Sequence, residues 1–160
     1  CSILGVAEHH FLDFPDNRLD TVALLDITQA IEKIIADRRP SLVYTHYNED
    51  LNVDHRRVAE AVVTACRPVP GSSVKEIRGM EVLSSTEWRF NSGKVFSPTV
   101  YVDISQHMDS KLKALQCYDG EMRDSPHVRS YATVRSLAQY RGTTAGCEFA
   151  EAFVSYFRIE

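Results

Sequence analysis

The stretch VYTHYNEDLNVDHRRVAEAV, residues 43 to 62, decides how the chain is read. It begins inside SLVYT (41 to 45), a short, mostly apolar run of the kind that forms buried parallel strands. From about Val53 to Cys66 the spacing turns helical, with Val58, Ala61, Val62 and Ala65 on the inward side. Between the two lie histidines, acids and asparagines, crowded where a strand hands over to a helix.

The flanking sequence repeats that alternation. Asp20 is a suitable N-cap for a helix whose stripe is Leu24, Ile27, Ile31, Ile34 and Ile35, and Asp37-Arg38-Arg39-Pro40 stops it. HHFLDF (9 to 14) reads as a short strand before the Pro15-Asp16-Asn17 turn, and Leu4-Gly5-Val6 as a helix end followed by a strand. EIRGMEVLSS (76 to 85) and TVYVDI (99 to 104) read as strands. Ile104, Met108, Leu112 and Leu115 set another helix, and Ser130 caps a last one with Gly142 as its C′ residue. In CEFAEAFVSYFRI the first half suits helix and FVSYFRI suits strand. The expected fold is an open α/β sheet, largely parallel at first and flanked by helices. Such sheets bind ligands beyond the carboxyl ends of their strands, which is where residues 46 to 55 fall.

Composition narrows the class. At 160 residues, 44% hydrophobic and 25% charged, the chain has the size and make-up of one soluble domain. The net charge of -4 and the lack of a Lys/Arg block give no electrostatic footprint for nucleic acid. No apolar run reaches the roughly 18 residues of a membrane span, and nothing at the N-terminus resembles a signal peptide. Four cysteines without a C-x-x-C pair read as buried free thiols in a reducing, cytoplasmic setting.

The polar knot offers chemistry. Asn52 is placed to cap the second helix and His55 falls in its first turn, with Asp50 and Asp54 near enough to orient an imidazole or to be ligands themselves. His46, at the strand terminus, could converge on the same space. A capped helix with a polar first turn explains these residues equally well, and D-x-x-x-D-H does not complete a three-ligand site. His127 and Arg129, in a loop before a helix, suit an anion or oxyanion, or simply a surface loop. Asp16 and Arg18 follow the first expected strand in what reads as a turn. Glu81 and the run Ser84 to Trp88, with Glu87 in it, could line a polar pocket with an aromatic wall.

YTHYNEDLNVDHRRVAEAV closely resembles the third-ligand motif of the PIG-L/LmbE-like zinc de-N-acetylases, in the bacterial branch that reads D-L-N-x-D-H-R. The resemblance continues through ILGV, FLDFPDNRLD, EVLSSTEW, YVDIS, K-x-x-A-L-x-x-Y, PHVRS and AEAF. It implies a Rossmann-like fold and hydrolysis of the acetyl group of an N-acetylated amino sugar, part of a glycoconjugate or sugar precursor. It further implies that His55 is a zinc ligand and Asp54 its neighbouring partner. Asn52 stands where other branches carry a histidine that helps polarise the acetyl carbonyl, with His127 as a possible substitute. Asp16 and Arg18 fall at the sugar contacts, and Arg129 and Glu87 join them as candidates for binding substrate.

The family's His-Pro-Asp-Asp-Glu run, which carries two zinc ligands and the water-activating aspartate, is not among these residues. The expectation is therefore an N-terminally incomplete domain, missing strands of its sheet, that on its own lacks zinc and activity. A complementing N-terminal segment or a second copy would cover the exposed sheet edge. The competing reading is a non-catalytic sugar-binding or interaction module that has lost the metal site.

Overall fold

The computed structural model describes residues 2–90 and 93–160. The chain divides into two compact units, one made of residues 1–11 and 101–152, the other of residues 12–100 and 153–160.

The second unit begins with a 3-10 turn, Leu19–Thr21, and helix α1, Leu24–Arg38. Asp20 lies inside that turn and does not cap the helix. Ala23 precedes α1 without a side-chain cap, since alanine has no side-chain group to accept a hydrogen bond. Arg39, with φ 48°, ends α1 by donating its backbone N–H to Ile35 O. Strand β1, Leu42–His46, then leads to helix α2, Val53–Ala65. The Asn52 side chain accepts the Asp54 N–H at 2.8 Å, so the expected cap is in place.

Strand β2, Glu76–Met80, lies parallel to β1, with Val43 opposite Ile77 and Thr45 opposite Gly79. Residues 81 to 85 leave the strand, because the chain there folds into a tight turn. Strand β3 is Val100–Asp103 and strand β4 is Ala150–Arg158. The sheet order is β1-β2-β4-β3, and β4 runs antiparallel to β2. The α/β class is as expected, and the parallel start of the sheet gives way to a mixed one.

Alternation along β1 and β2 turns Val43 and Ile77 to one side. There they join Val62, Cys66 and Val74 in a core that Ile31, Ile35, Val58, Tyr156 and Phe157 complete. Leu19, Ile27 and Ala61 form a smaller cluster between the 3-10 turn and the two helices. Gly79 is required here: a Cβ would stand 2.5 Å from the Tyr156 hydroxyl.

The other unit holds a 3-10 turn at Ser2–Leu4, helix α3, Met108–Gln116, and helix α4, Tyr131–Ala145. Ile104, Met108, Val134, Ala138, Phe149 and Ala150 are buried in it. Ser130 caps α4 as expected, accepting the Thr133 N–H. The end of α4 differs from the sequence reading. Gly142 is interior, and Gly146, with φ 82°, takes the left-handed closing position. A Cβ on Gly142 would meet the Glu148 carbonyl oxygen at 2.6 Å, so its role is close approach rather than termination.

Three further expectations are corrected. Residues 9 to 14 form no strand, since no neighbouring strand accepts them, and Phe11 is 82% exposed. The 147–152 segment is loop and strand, not helix. Cys66 is buried as expected, but Cys117 is exposed at the end of α3.

Candidate functional site

The loop from Tyr47 to Asn52 turns the chain from the carboxyl end of β1 into α2. Tyr156 holds its start, since the Tyr156 hydroxyl accepts the Asn48 N–H at 2.7 Å and faces His46 O at 3.2 Å. Arg56 secures its end by donating to the carbonyls of Asp50 and Leu51.

Asp50 is the centre of the site. Its side chain is fully buried. Oδ1 accepts from the Asn52 N–H at 2.9 Å and from the Ser85 hydroxyl, and Oδ2 accepts from the Thr86 hydroxyl at 2.7 Å. His55 Nδ1 lies 3.1 Å from the same Oδ1. Burial alone would raise the Asp50 pKa. The hydrogen bonds from His55, Ser85, Thr86 and Asn52 outweigh it and hold the carboxyl at about 2. An ionised carboxylate only accepts, so a neutral His55 ring carries its proton on Nδ1 and presents Nε2 as a lone pair. That is the arrangement of a metal-binding imidazole with a carboxylate behind it.

His46 is stacked on His55 with ring centroids 4.0 Å apart and planes 9° from parallel. Parallel rings point their in-plane lone pairs alongside one another, so the pair does not converge on one ion in this arrangement. Burial, and then the neighbouring His55, lower the His46 pKa to about 4, with Asp50 opposing. Its Nδ1 is buried without a hydrogen-bond partner among the described residues, as is Thr45 Oγ1.

Asp54 does something other than the sequence suggested. Its carboxylate accepts the Asn17 N–H at 2.6 Å and the Leu19 N–H at 2.9 Å. The acid in contact with His55 is Asp50, five residues earlier in the chain, and Asp54 instead anchors the loop bearing Asp16 and Arg18. Asn52 adds a weak contact from its Nδ2 to Asn17 Oδ1 at 3.4 Å. Asp16 and Arg18 are exposed on that loop, and Asp16 accepts from Asn17 Nδ2.

Glu87 is exposed and closes the turn after β2, its carboxylate accepting the backbone N–H groups of Ser84 and Ser85. Ser84 has φ 69°, and Glu87 stabilises that left-handed conformation from across the turn. His127 and Arg129 belong to the other unit. There His127 Nδ1 accepts the Arg129 N–H at 3.0 Å, leaving Nε2 as the ring's donor, and the Arg129 guanidinium pairs with Glu121. In the sequence Ser85 and Thr86 are only part of a polar run. Their contact with Asp50 spans 35 and 36 residues, and no local spacing announces it.

For a zinc ion the described residues fit one ligand position, His55 Nε2. Among them no group of three or more His, Cys, Asp or Glu side chains is gathered to hold a metal. Among the described residues no helix is long and apolar enough to cross a membrane.

Comparison with known proteins agrees with the motif. Residues 1–66 match the family described as PIG-L, GlcNAc-PI de-N-acetylase. A probable N-acetyl-alpha-D-glucosaminyl L-malate deacetylase 2 of Bacillus cereus is 28% identical over 133 residues, 81% of this chain and 58% of that protein. An uncharacterized deacetylase of Escherichia coli, YaiS, is 32% identical over 120 residues, 71% of this chain and 58% of that one. The chain therefore spans little more than half the length of these curated relatives.

Among solved structures, the N,N'-diacetylchitobiose deacetylase of Pyrococcus horikoshii superposes with a TM-score of 0.70 at 19% identity, over 96% of this chain and 59% of that one. A conserved protein of Thermus thermophilus gives 0.76 at 20%, over 99% and 70%. GalB, the 4-carboxy-2-hydroxymuconate hydratase of Pseudomonas putida, gives 0.72 at 22%, over 99% and 68%. At these identities the likeness establishes the fold. A hydratase among the three means that the fold alone does not fix the reaction.

Proposed function

We propose, from the match of residues 1–66 to the PIG-L family and the likeness to curated deacetylases, that this chain carries part of the active site of a zinc-dependent hydrolase acting on an N-acetylated amino sugar. The bond broken is the acetamide C–N bond, and the products are acetate and the free amine. The observation that carries this reading is the His55–Asp50 contact, which leaves Nε2 of His55 as a lone pair just beyond the end of β1. Catalytic zinc takes about three protein ligands and keeps one position open. Among the described residues His55 is the one supplied, and the resemblance assigns the remaining ligands to the His-Pro-Asp-Asp-Glu run.

When bound, zinc lowers the pKa of a coordinated water to about 7 and polarises a carbonyl. This chain's own residues do the rest of the positioning. Asp50 keeps the His55 proton on Nδ1. Asp54 holds the loop from which Asp16 and Arg18 reach the sugar hydroxyls. The resemblance alone assigns His127 to the acetyl oxygen, in place of the histidine that Asn52 replaces. Arg129 and Glu87 are assigned to the rest of the substrate. The working protein is placed in the cytoplasm.

Acetate release from an N-acetylglucosamine conjugate, by the longer protein with and without added zinc, tests this reading. Zinc-dependent acetate release is expected. Binding of the conjugate with no acetate formed at any zinc level would reject hydrolysis and select the sugar-binding module.

A further inference from the structure

The residues that decide which nitrogen of His55 faces outward are not confined to the histidine's own segment. We infer that Ser85 and Thr86, on the turn after β2, are positioning residues that set the tautomer of His55 through Asp50. The inference rests on the reading of His55 as a metal ligand for its purpose, but not for its geometry.

Each hydroxyl has one proton, and each is already an acceptor. Thr86 Oγ1 accepts the Val82 N–H at 2.8 Å, so its proton goes to Asp50 Oδ2. Ser85 Oγ lies 3.3 Å from the Asn52 N–H, which it accepts, and its proton goes to Oδ1. Two backbone N–H groups thus fix the direction of two hydroxyls, and both deliver donors to one buried carboxylate. A carboxylate so supplied has no proton to give. The contact with His55 Nδ1 then exists in one sense only, with the ring donating.

The turn is itself built to hold that pose. The N–H groups of Ser85 and Thr86 return to Val82 O, and Glu87 gathers the N–H groups of Ser84 and Ser85. Arg89 adds a donor to the Asp50 carbonyl at 3.2 Å. A segment some 30 residues from the histidine therefore supplies two of the four donors to the Asp50 carboxylate. Without them Asp50 could turn about its last torsion, and that change frees Nδ1 to become the lone-pair nitrogen. A ligand nitrogen would then point into the protein.

The test is imidazole 15N NMR of the metal-free chain at about pH 8, where an ordinary histidine is neutral. Wild type is expected to show His55 as the Nδ1–H form. The double variant Ser85→Ala with Thr86→Val is expected to lose that preference, with Nε2–H signal appearing for His55. His127, whose Nδ1 accepts a backbone N–H, serves as the internal control and keeps its pattern. If the double variant does not fold, Thr86→Val alone is read in its place, since it preserves the shape. Thr86→Ser, which keeps the hydroxyl, should retain the wild-type pattern.

An unchanged His55 tautomer in a folded variant lacking the hydroxyls would overturn the inference. So would a Thr86→Ser protein that behaves like Thr86→Val, because packing rather than the proton would then be responsible. No acetate need be released for this result, so it is independent of whether the longer protein is a deacetylase.

Discussion

Asp54 Oδ2 accepts the Asn17 N–H at 2.6 Å and thereby ties the first turn of α2 to the loop that carries Asp16 and Arg18. The residue beside the proposed metal ligand serves the proposed substrate loop, while the carboxylate behind the ligand comes from Asp50. The two acids of the motif have separate duties, and separate consequences follow from removing them.

Asp54→Ala in the longer, active protein should raise KM through a loosened 16–18 loop and leave zinc affinity within a few-fold of wild type. Stability should fall by about 1–2 kcal/mol, as expected for two lost hydrogen bonds to a charged acceptor. Steady-state kinetics with a zinc titration separates the cases. A large drop in zinc affinity with KM unchanged would return Asp54 to the role of His55's partner.

Asp50→Ala should cost more, about 3–5 kcal/mol, because it strands the Ser85 and Thr86 hydroxyls, the Asn52 N–H and the His55 ring in a buried place. Urea unfolding of the two variants compares them directly. Equal losses would show that the buried network is not what holds the β1–α2 loop.

Gly142→Ala tests the packing of α4 by sign. Helix propensity alone predicts a gain of about 1 kcal/mol. The Glu148 carbonyl 2.6 Å from the new Cβ predicts a loss of about 1–3 kcal/mol instead. A stabilised Gly142→Ala protein would contradict the close approach at the end of this helix.

Alkaline stability should fall as Cys66 and Tyr156 titrate. Burial raises the Cys66 thiol to about 11 from an ordinary 9.0, and burial is also the main cause that raises Tyr156 to about 12 from 10.0. The folded state favours the protonated form of both groups. Their contribution is complete below the unfolded pKa values and is lost as pH rises from about 9 toward 12, by about 2–3 kcal/mol for Cys66 and less for the half-buried, solvent-screened Tyr156. Denaturation midpoints at pH 7, 9 and 10.5 measure the slope, which Tyr156→Phe should flatten. A flat profile would show that neither group is held protonated.

What could be read from sequence was local chemistry. Asn52 and Ser130 were legible as caps because a cap is made within three residues, and the α1 stripe because period is a property of one segment. Gly142 misled for the same reason: termination is a local rule, whereas its actual cause is the Glu148 backbone folding back on the helix. The start of β4 carries the helix formers Ala150, Glu151 and Ala152, and only its place in the sheet makes it strand. HHFLDF shows the converse, a strand pattern with no neighbour to accept it. At the site, the motif located His55, but the choice between Asp50 and Asp54 depended on which way the loop turned. Ser85 and Thr86 enter through a contact across some 35 residues, beyond the reach of any spacing rule.

The measurement that bears most directly on the function is zinc content and acetate release in the longer protein, wild type against His55→Ala. We expect about one zinc per active site with acetate release in wild type, and at least a ~100-fold loss of both metal affinity and activity in the variant, since one of about three ligands is removed. Wild-type zinc binding in His55→Ala would contradict the ligand assignment. Full zinc loading of the wild-type protein with no acetate released from any N-acetylated amino sugar would contradict the hydrolase.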